Sequence, residues 1–240
     1  MLPMLSYRQS YNLTIPQLKR LNLTIRWLAA ILLLCSLVSA SQPTDLQSTI
    51  QAVDHRYNHL HTLVADFTEI YTGAGAERTE SGTLWLKKPG KMRWEYRSPR
   101  EKLFLSDGKE AWFYVPGEQQ VRKILMRKLD DLRSPIAFLL GKTRLEKELT
   151  GLAMPTDVAT LNAGDTVLSG APVGMADRVS QVVIEITPDH RIARILLDGT
   201  DGSVTEYRFT NQHEDVELPD SQFRFIPPPG IEVIEGDAAE

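Results

Sequence analysis

His55 and His59 stand four positions apart, which puts both imidazoles on one face of a helix, one turn from each other, with His61 close by. Imidazoles at that spacing can ligate zinc, but two are an incomplete set, and no acidic or cysteine ligand lies nearby at a matching spacing. An exposed histidine face fits the same residues, and no metal or other cofactor is expected. The oxygen-rich stretch from Asp198 to Glu206 resembles a calcium loop only superficially. Its spacing does not fit the helix-loop-helix site and alternating strands flank it, so it reads as a hairpin turn. Ser106-Asp107-Gly108 sets a hydroxyl beside a carboxylate, yet in turn chemistry, with no base in obvious reach. Nucleophile-elbow, zinc-helix and paired-cysteine motifs are all missing, and catalysis is not expected.

Lys88 is the anomaly. From Leu84 to Tyr96 the even positions read Leu84, Leu86, Lys88, Gly90, Met92, Trp94 and Tyr96, and the odd positions are mostly charged or polar. That period of two puts the even residues on one apolar strand face. Pro89-Gly90 interrupts the run, which makes it either a hairpin or a strand bent at an edge. If the alternation survives the break, one ammonium sits on an apolar face and needs acceptors around it. If the turn redirects it, Lys88 points to water.

The elements around these residues follow from periodicity. Leu46, Ile50, Val53, Tyr57 and Leu60 mark one face of a helix from Thr44 to about Leu60, with Thr44 and Gln47 at a capping-box spacing. Further strands are expected at Lys102–Leu105, Ala111–Val115, Gln119–Leu125, Thr166–Ser169, Val179–Thr187, Ile192–Leu197 and Val204–Thr210. Their short turns, such as Pro116-Gly117 and Pro188-Asp189, imply an antiparallel sheet built from successive hairpins. Ser134-Pro135 opens a short apolar helix that closes at Gly141, and a charged helix is expected from Thr143 to Leu149. The strand pattern runs on to Phe225, and Glu235 to Glu240 reads as an acidic tail.

Composition bounds the rest. With 240 residues, 42% hydrophobic and a single cysteine, the chain is neither a disulfide framework nor disordered. Residues 1–40 hold Arg8, Lys19, Arg20 and Arg26 and no acid; removing those four from the 27 bases leaves 23 against 31 acids, a net charge of −8 for the remainder. A basic stretch ending at Arg26, an apolar run from Trp27 to Val38, then Ser39-Ala40 read as an export signal cleaved after Ala40. The apolar run falls short of the roughly 20 residues a membrane-spanning helix needs. Cys35 follows Leu34, where a bacterial lipoprotein signal has a small residue. Residues 41–240 are therefore expected to form one soluble, cysteine-free domain with a monomeric fold. Its negative charge argues against nucleic acid and against adhesion to anionic lipid.

Gly82 to Tyr96, Leu105-Ser-Asp-Gly108, Trp112-Phe-Tyr-Val-Pro116 and Phe223-Arg-Phe-Ile-Pro-Pro-Pro-Gly230 resemble, in wording and order, the periplasmic outer-membrane lipoprotein carrier family, LolA. Phe67 and the Ser134-Pro135 helix also fall where that family has a phenylalanine strand and a lid helix. The resemblance spans about Leu46 to Val233. It implies an α+β, mainly β fold: an unclosed, curved antiparallel half-barrel with a helical lid. It also implies a periplasmic shuttle that takes acylated lipoproteins from an inner-membrane ATP-driven extractor and hands them to an outer-membrane acceptor, without covalent chemistry. On that reading Leu84, Leu86, Met92, Trp94 and Tyr96 line the acyl surface. Val53, Tyr57 and Leu60 of the first helix, with Ile136, Phe138, Leu139 and Leu140 of the second, form the lid. Each of these apolar residues is equally compatible with ordinary core. Lys88 stands where the family typically has an arginine that latches the lid; lysine offers three donors on a point charge instead of a five-donor fork, and it is expected to reach lid carbonyls near Phe138 to Leu140. A lipid-sensing or regulatory module on the same scaffold is the alternative.

Overall fold

The computed structural model describes residues 45–126 and 144–236. The expected export signal at 1–40, and Ile136, Phe138, Leu139 and Leu140 of the expected second lid helix, lie outside the described residues.

The first element is α1 (Asp45–His59), with an acid in its first turn and Arg56 and His59 in its last, as the helix dipole favours. Strands β1 (Thr62–Gly73), β2 (Ala76–Lys87), β3 (Lys91–Ser98), β4 (Lys102–Asp107), β5 (Glu110–Tyr114) and β6 (Gln120–Leu125) follow. A single-turn helix α2 (Leu145–Glu148) leads into β7 (Leu149–Ala153). Then come β8 (Thr166–Pro172), β9 (Val179–Ile186), β10 (Ile192–Gly199) and β11 (Val204–Glu214). A 3-10 turn at Asp220–Phe223 and β12 (Glu232–Glu235) end the described chain.

All twelve strands form one curved sheet in the order β12-β6-β5-β4-β3-β2-β1-β11-β10-β9-β8-β7, so two meanders, β1 to β6 and β7 to β11, join at the central β1–β11 pair. The ends of the order, β12 and β7, do not pair with each other, and the barrel is unclosed. Hairpin chemistry sets this topology. Ala74 and Gly75, at φ 49° and 75°, turn β1 into β2 through two left-handed residues, the geometry whose twist matches that of the flanking strands.

The Leu84–Tyr96 run is a hairpin, because Gly90 at φ 71° lets the chain reverse after Lys87; Leu86 pairs with Met92 and Leu84 with Trp94. Three local expectations need correction. The charged helix stops at Glu148, because Leu149 enters β7 beside Pro172. The ladder ends at Glu214, well before Phe225. Glu232–Glu235 is a strand paired parallel to β6, so Glu235, the first residue of the expected acidic tail, belongs to the sheet.

The sheet buries both faces. Its inner face packs α1, and Ile50, Val53, Tyr57 and Leu60 join Leu63, Phe67, Leu84, Leu86, Trp94, Ile184, Ile195 and Phe209 in the main core. The outer face carries a second, smaller core beneath residues 216–230. Phe225 lies against Trp112 and Tyr114 at ring distances of 5.3 and 5.5 Å, Phe223 is buried, and Leu105 and Val121 share that face. Lys87 donates to the Leu218 carbonyl at 2.6 Å, and Lys87 and Lys91 both reach Asp220 at 2.7 Å. Those two ammonium groups hold the Asp220 carboxyl down to about 2, from 3.8. A depressed carboxyl stabilises the fold above its unfolded value and loses that contribution only as pH falls through its folded one. The melting-temperature difference between the wild type and Asp220→Asn should therefore be flat above about pH 4 and close as pH falls toward 2. A difference that closes already near pH 6 would assign the strap to another group.

Candidate functional site

The residues expected to line an acyl surface do share one face. Leu84, Leu86, Met92 and Trp94 point inward, and all four are buried beneath α1. Val53, Tyr57 and Leu60 are the helix residues that cover them. Tyr96 is half-buried, at the limit of what α1 covers. Aromatic packing organises this floor: the Phe67 ring meets Trp94 edge-on at 4.7 Å and Tyr96 at 4.9 Å. Gly82 makes the second contact possible. It stands opposite both Phe67 and Tyr96, and a Cβ there would lie 1.9 Å from the Glu95 carbonyl oxygen.

Apolar surface left accessible on this face lies farther out. Phe104 and Phe113, whose rings are 4.6 Å apart, continue the floor from Trp94 across β4 and β5. Leu197 and Tyr207 are half-buried on β10 and β11. Sequence reading missed these four residues, although cross-strand register signals them: Phe104 is opposite Trp94 and Phe113 is opposite Phe104.

Among the described residues, several contacts fix the C-terminal end of α1. The Leu60 N–H closes the last helical bond onto the Arg56 carbonyl at 3.1 Å, so the Tyr57 carbonyl is the first without a helical partner. Lys88 Nζ donates to it. The His61 N–H, which would have continued the helix, goes instead to Asp215 Oδ1 at 2.9 Å, and the Lys88 N–H donates to the His61 carbonyl at 2.9 Å. Lys88 thus closes the α1–β1 corner with backbone and side chain together. The expected contacts near Phe138 to Leu140 lie outside the described residues. Burial pushes the Lys88 ammonium below its ordinary value, and Asp215 partly offsets this.

A second set of contacts ties the same end of α1 to the sheet. Arg56 donates to both carboxylate oxygens of Glu214 at 2.8 Å and to the Asp189 carbonyl at 2.9 Å. The Ile192 N–H donates to the buried Tyr57 hydroxyl at 2.8 Å. Midway along the helix, Asp54 accepts the Leu145 N–H at 3.0 Å and so holds α2 against α1. The histidines serve the same corner. His59 Nδ1 lies 2.7 Å from the His55 carbonyl oxygen, and His61 Nδ1 lies 3.4 Å from Asp215. Among the described residues, no three His, Cys, Asp or Glu side chains gather as a metal site would require.

Beyond Phe67 the inner face changes character. Glu69, Glu80, Tyr207 and Lys102 follow on the same face, and the Tyr96 hydroxyl donates to Glu69 Oε2 at 2.8 Å. The inner face therefore offers a large apolar floor, covered by a helix with polar fixings at its C-terminal end, and bounded by a polar row. What this arrangement can do is bury a greasy surface and expose it again.

Residues 58–226 match the family model described as outer membrane lipoprotein carrier protein LolA. The chain belongs to the LolA family. An outer-membrane lipoprotein carrier protein of Chromobacterium violaceum is 32% identical over 183 residues, spanning 73% of this chain and 82% of that one. Its counterpart in Methylococcus capsulatus is 30% identical over 213 residues, spanning 88% and 97%. The fold is similar to a crystal structure of an uncharacterized conserved protein from Thermus thermophilus, with TM-score 0.51 and 14% identity over 79% of this chain and 98% of the other. The family resemblance read from the sequence is thereby established, and so is the unclosed, mainly β fold expected with it.

Two measurements probe the corner that fastens α1. Tyr57→Phe removes the acceptor of a buried N–H while keeping the ring, and should lower unfolding stability in urea by about 1–3 kcal/mol. Lys88→Met should show a pH-dependent difference from the wild type. An ammonium whose folded value is depressed costs stability below that value, and the cost is relieved as pH rises toward the unfolded 10.5. The wild type should therefore gain on Lys88→Met in stability across that alkaline window; a constant difference would mean that the ammonium is not desolvated.

Proposed function

We propose that this chain is a periplasmic lipoprotein carrier. Its inner sheet face receives the acyl chains of a lipoprotein when α1 swings away from its fastened end. The observation that carries this reading is the match between an unclosed apolar sheet and an amphipathic helix that covers it without being part of it. An acyl chain in water forgoes about 0.8 kcal/mol of burial per methylene, so a lipid with several chains cannot cross an aqueous compartment bare. The core beneath α1 supplies the alternative surface: displacing Ile50, Val53 and Tyr57 frees Leu84, Leu86, Met92 and Trp94, and the incoming chains rebury them. Exchange of one apolar occupant for another costs little, which is what a carrier that must also release requires. Lys88 acts as the latch of the empty state, on the C-terminal carbonyl of α1.

The remaining steps follow from this role. Residues 1–40 direct export and are removed after Ala40, leaving a monomer of one domain. The carrier takes its cargo from an ATP-driven extractor in the inner membrane and yields it to an acceptor in the outer membrane. It makes and breaks no covalent bond, because its task is burial alone, and it needs no cofactor. The name that the relatives share, outer-membrane lipoprotein carrier protein, supports the cargo class.

The test is release from spheroplasts. Adding purified chain 41–240 to spheroplasts that are synthesising an outer-membrane lipoprotein should move that lipoprotein into the supernatant as a soluble complex with the added chain. Lipoprotein that stays with the membrane pellet at every concentration of added chain would refute the proposal.

A further inference from the structure

Glu69 is an unexpected residue for the floor of a hydrophobic surface. It follows Leu63, Ala65 and Phe67 on the inward side of β1, where a fourth apolar residue would extend the core. It also stands directly opposite Glu80 of β2, and like charges in that relation destabilise a sheet. The two carboxylates are treated differently. Glu80 is paired with Lys102 at 2.6 Å. Glu69 has no salt-bridge partner among the described residues, and instead accepts from the Tyr96 hydroxyl at 2.8 Å and stands opposite Tyr207. Burial first, and then the Glu69 carboxylate, push both phenols up, so each remains a protonated donor. The nearest ammonium is spent on Glu80 and on the Tyr96 ring, over which Lys102 Nζ lies at 4.3 Å.

The surroundings show what this carboxylate faces. Tyr96, Phe104, Tyr207 and Leu197 are half-buried residues packed against the inner-face core, and they flank Glu69 on both sides. An acyl chain laid on that accessible floor brings the polar end of its molecule near Glu69. The Tyr96 hydroxyl donates to the carboxylate and holds it against this floor.

Resting on the carrier reading above, we propose that Glu69 is a charge filter. It admits acyl chains joined through uncharged ester and amide linkages, as on an acylated cysteine, and rejects those joined to a phosphate, as in a membrane phospholipid. An uncharged carbonyl-rich linkage can accept from the Lys102 ammonium, which keeps donors beyond the one it gives to Glu80. A phosphate would sit beside a carboxylate with no salt-bridge partner among the described residues, on a half-buried floor where repulsion is less screened than in bulk water. The filter addresses a physical problem of any such carrier, because phospholipid chains surround the cargo and are equally greasy.

The experiment is displacement of an environment-sensitive fluorescent dye from purified chain 41–240 by three probes with the same palmitoyl chains: an S-dipalmitoylglyceryl cysteinyl peptide, dipalmitoylglycerol and dipalmitoylphosphatidylglycerol. The wild type should bind both phosphate-free probes about tenfold or more tightly than the phospholipid. Glu69→Gln, which keeps the size and an acceptor oxygen for the tyrosines, should bring that ratio down toward one. Wild-type binding that is equal for all three probes would overturn the filter without needing the variant, as would an unchanged ratio in a folded Glu69→Gln protein. Failure of the wild type to bind any of the three would overturn the carrier reading itself and the filter with it.

Discussion

An antiparallel sheet that curves but does not close leaves one apolar face that its own strands cannot cover. Here the face is broad, running from Met92 on β3 through Phe67 on β1 to Leu168 on β8, and a separate element must keep water from it. That element is α1, which reaches the sheet through a stripe of four residues, Ile50, Val53, Tyr57 and Leu60. Because the cover belongs to the same chain as the floor, loading of the proposed carrier would exchange an intramolecular occupant for an intermolecular one. Among the described residues, Arg56, Tyr57 and Lys88 fasten the C-terminal end of α1, and Gln47 nearer its N-terminus reaches Glu146 at 3.2 Å.

The outer face shows the opposite strategy. Residues 216–230 lie over β3 to β6, anchored by Phe223, Phe225 and the Asp220 ion pairs. At the other end of the sheet, the loop preceding β8 is held by buried charge: Arg194 donates to the Ala159 carbonyl at 2.6 Å and pairs with Glu185 at 2.7 Å, while Glu185 accepts the Leu161 N–H at 2.6 Å. Removing one member of that buried set strands its partner, so the loop preceding β8 is costly to lift. The outer face is thus held in part by buried charge, whereas the stripe of α1 meets the inner face through apolar contact, with polar fixings at the helix end. This difference, more than any single residue, marks the inner face as the working surface of the proposed carrier.

Much of this was legible in the sequence because alternation is a strong signal when one strand face is buried. The run Leu84, Leu86, Met92, Trp94 gave its face directly, and the helix stripe of Val53, Tyr57 and Leu60 gave the cover. Other features were hidden for identifiable reasons. β12 is four residues long and pairs in parallel with a strand over a hundred positions away, so no turn signal announces it. The outer strap reads as a strand because Phe223 and Phe225 alternate, yet Phe225 grips Trp112 and Tyr114 from above instead of joining a ladder. Leu145 and Leu149 suit a helix and equally suit a helix end followed by a strand, and periodicity does not separate the two. Lys88 was recognisable as out of place, but its partner was not, since an unpaired helix carbonyl is a property of where the helix stops. Glu69 carries no signal in the sequence; only the register sets it beside Tyr207 and Glu80.

A barrel that never closes has two raw margins, each a row of backbone donors and acceptors that another copy could extend into a fibre. Both are blunted here. β7 is interrupted by an irregularity between Thr150 and Ala153, with Gly151 in the left-handed region at φ 64°. β12 is only one short rung, and carboxylates at Glu232 and Glu235 bracket its Val233-Ile234 pair, so that two such margins brought together would set like charges against each other. The openness that suits the sheet to a greasy guest would otherwise invite self-assembly, and its borders are the places where that hazard is contained.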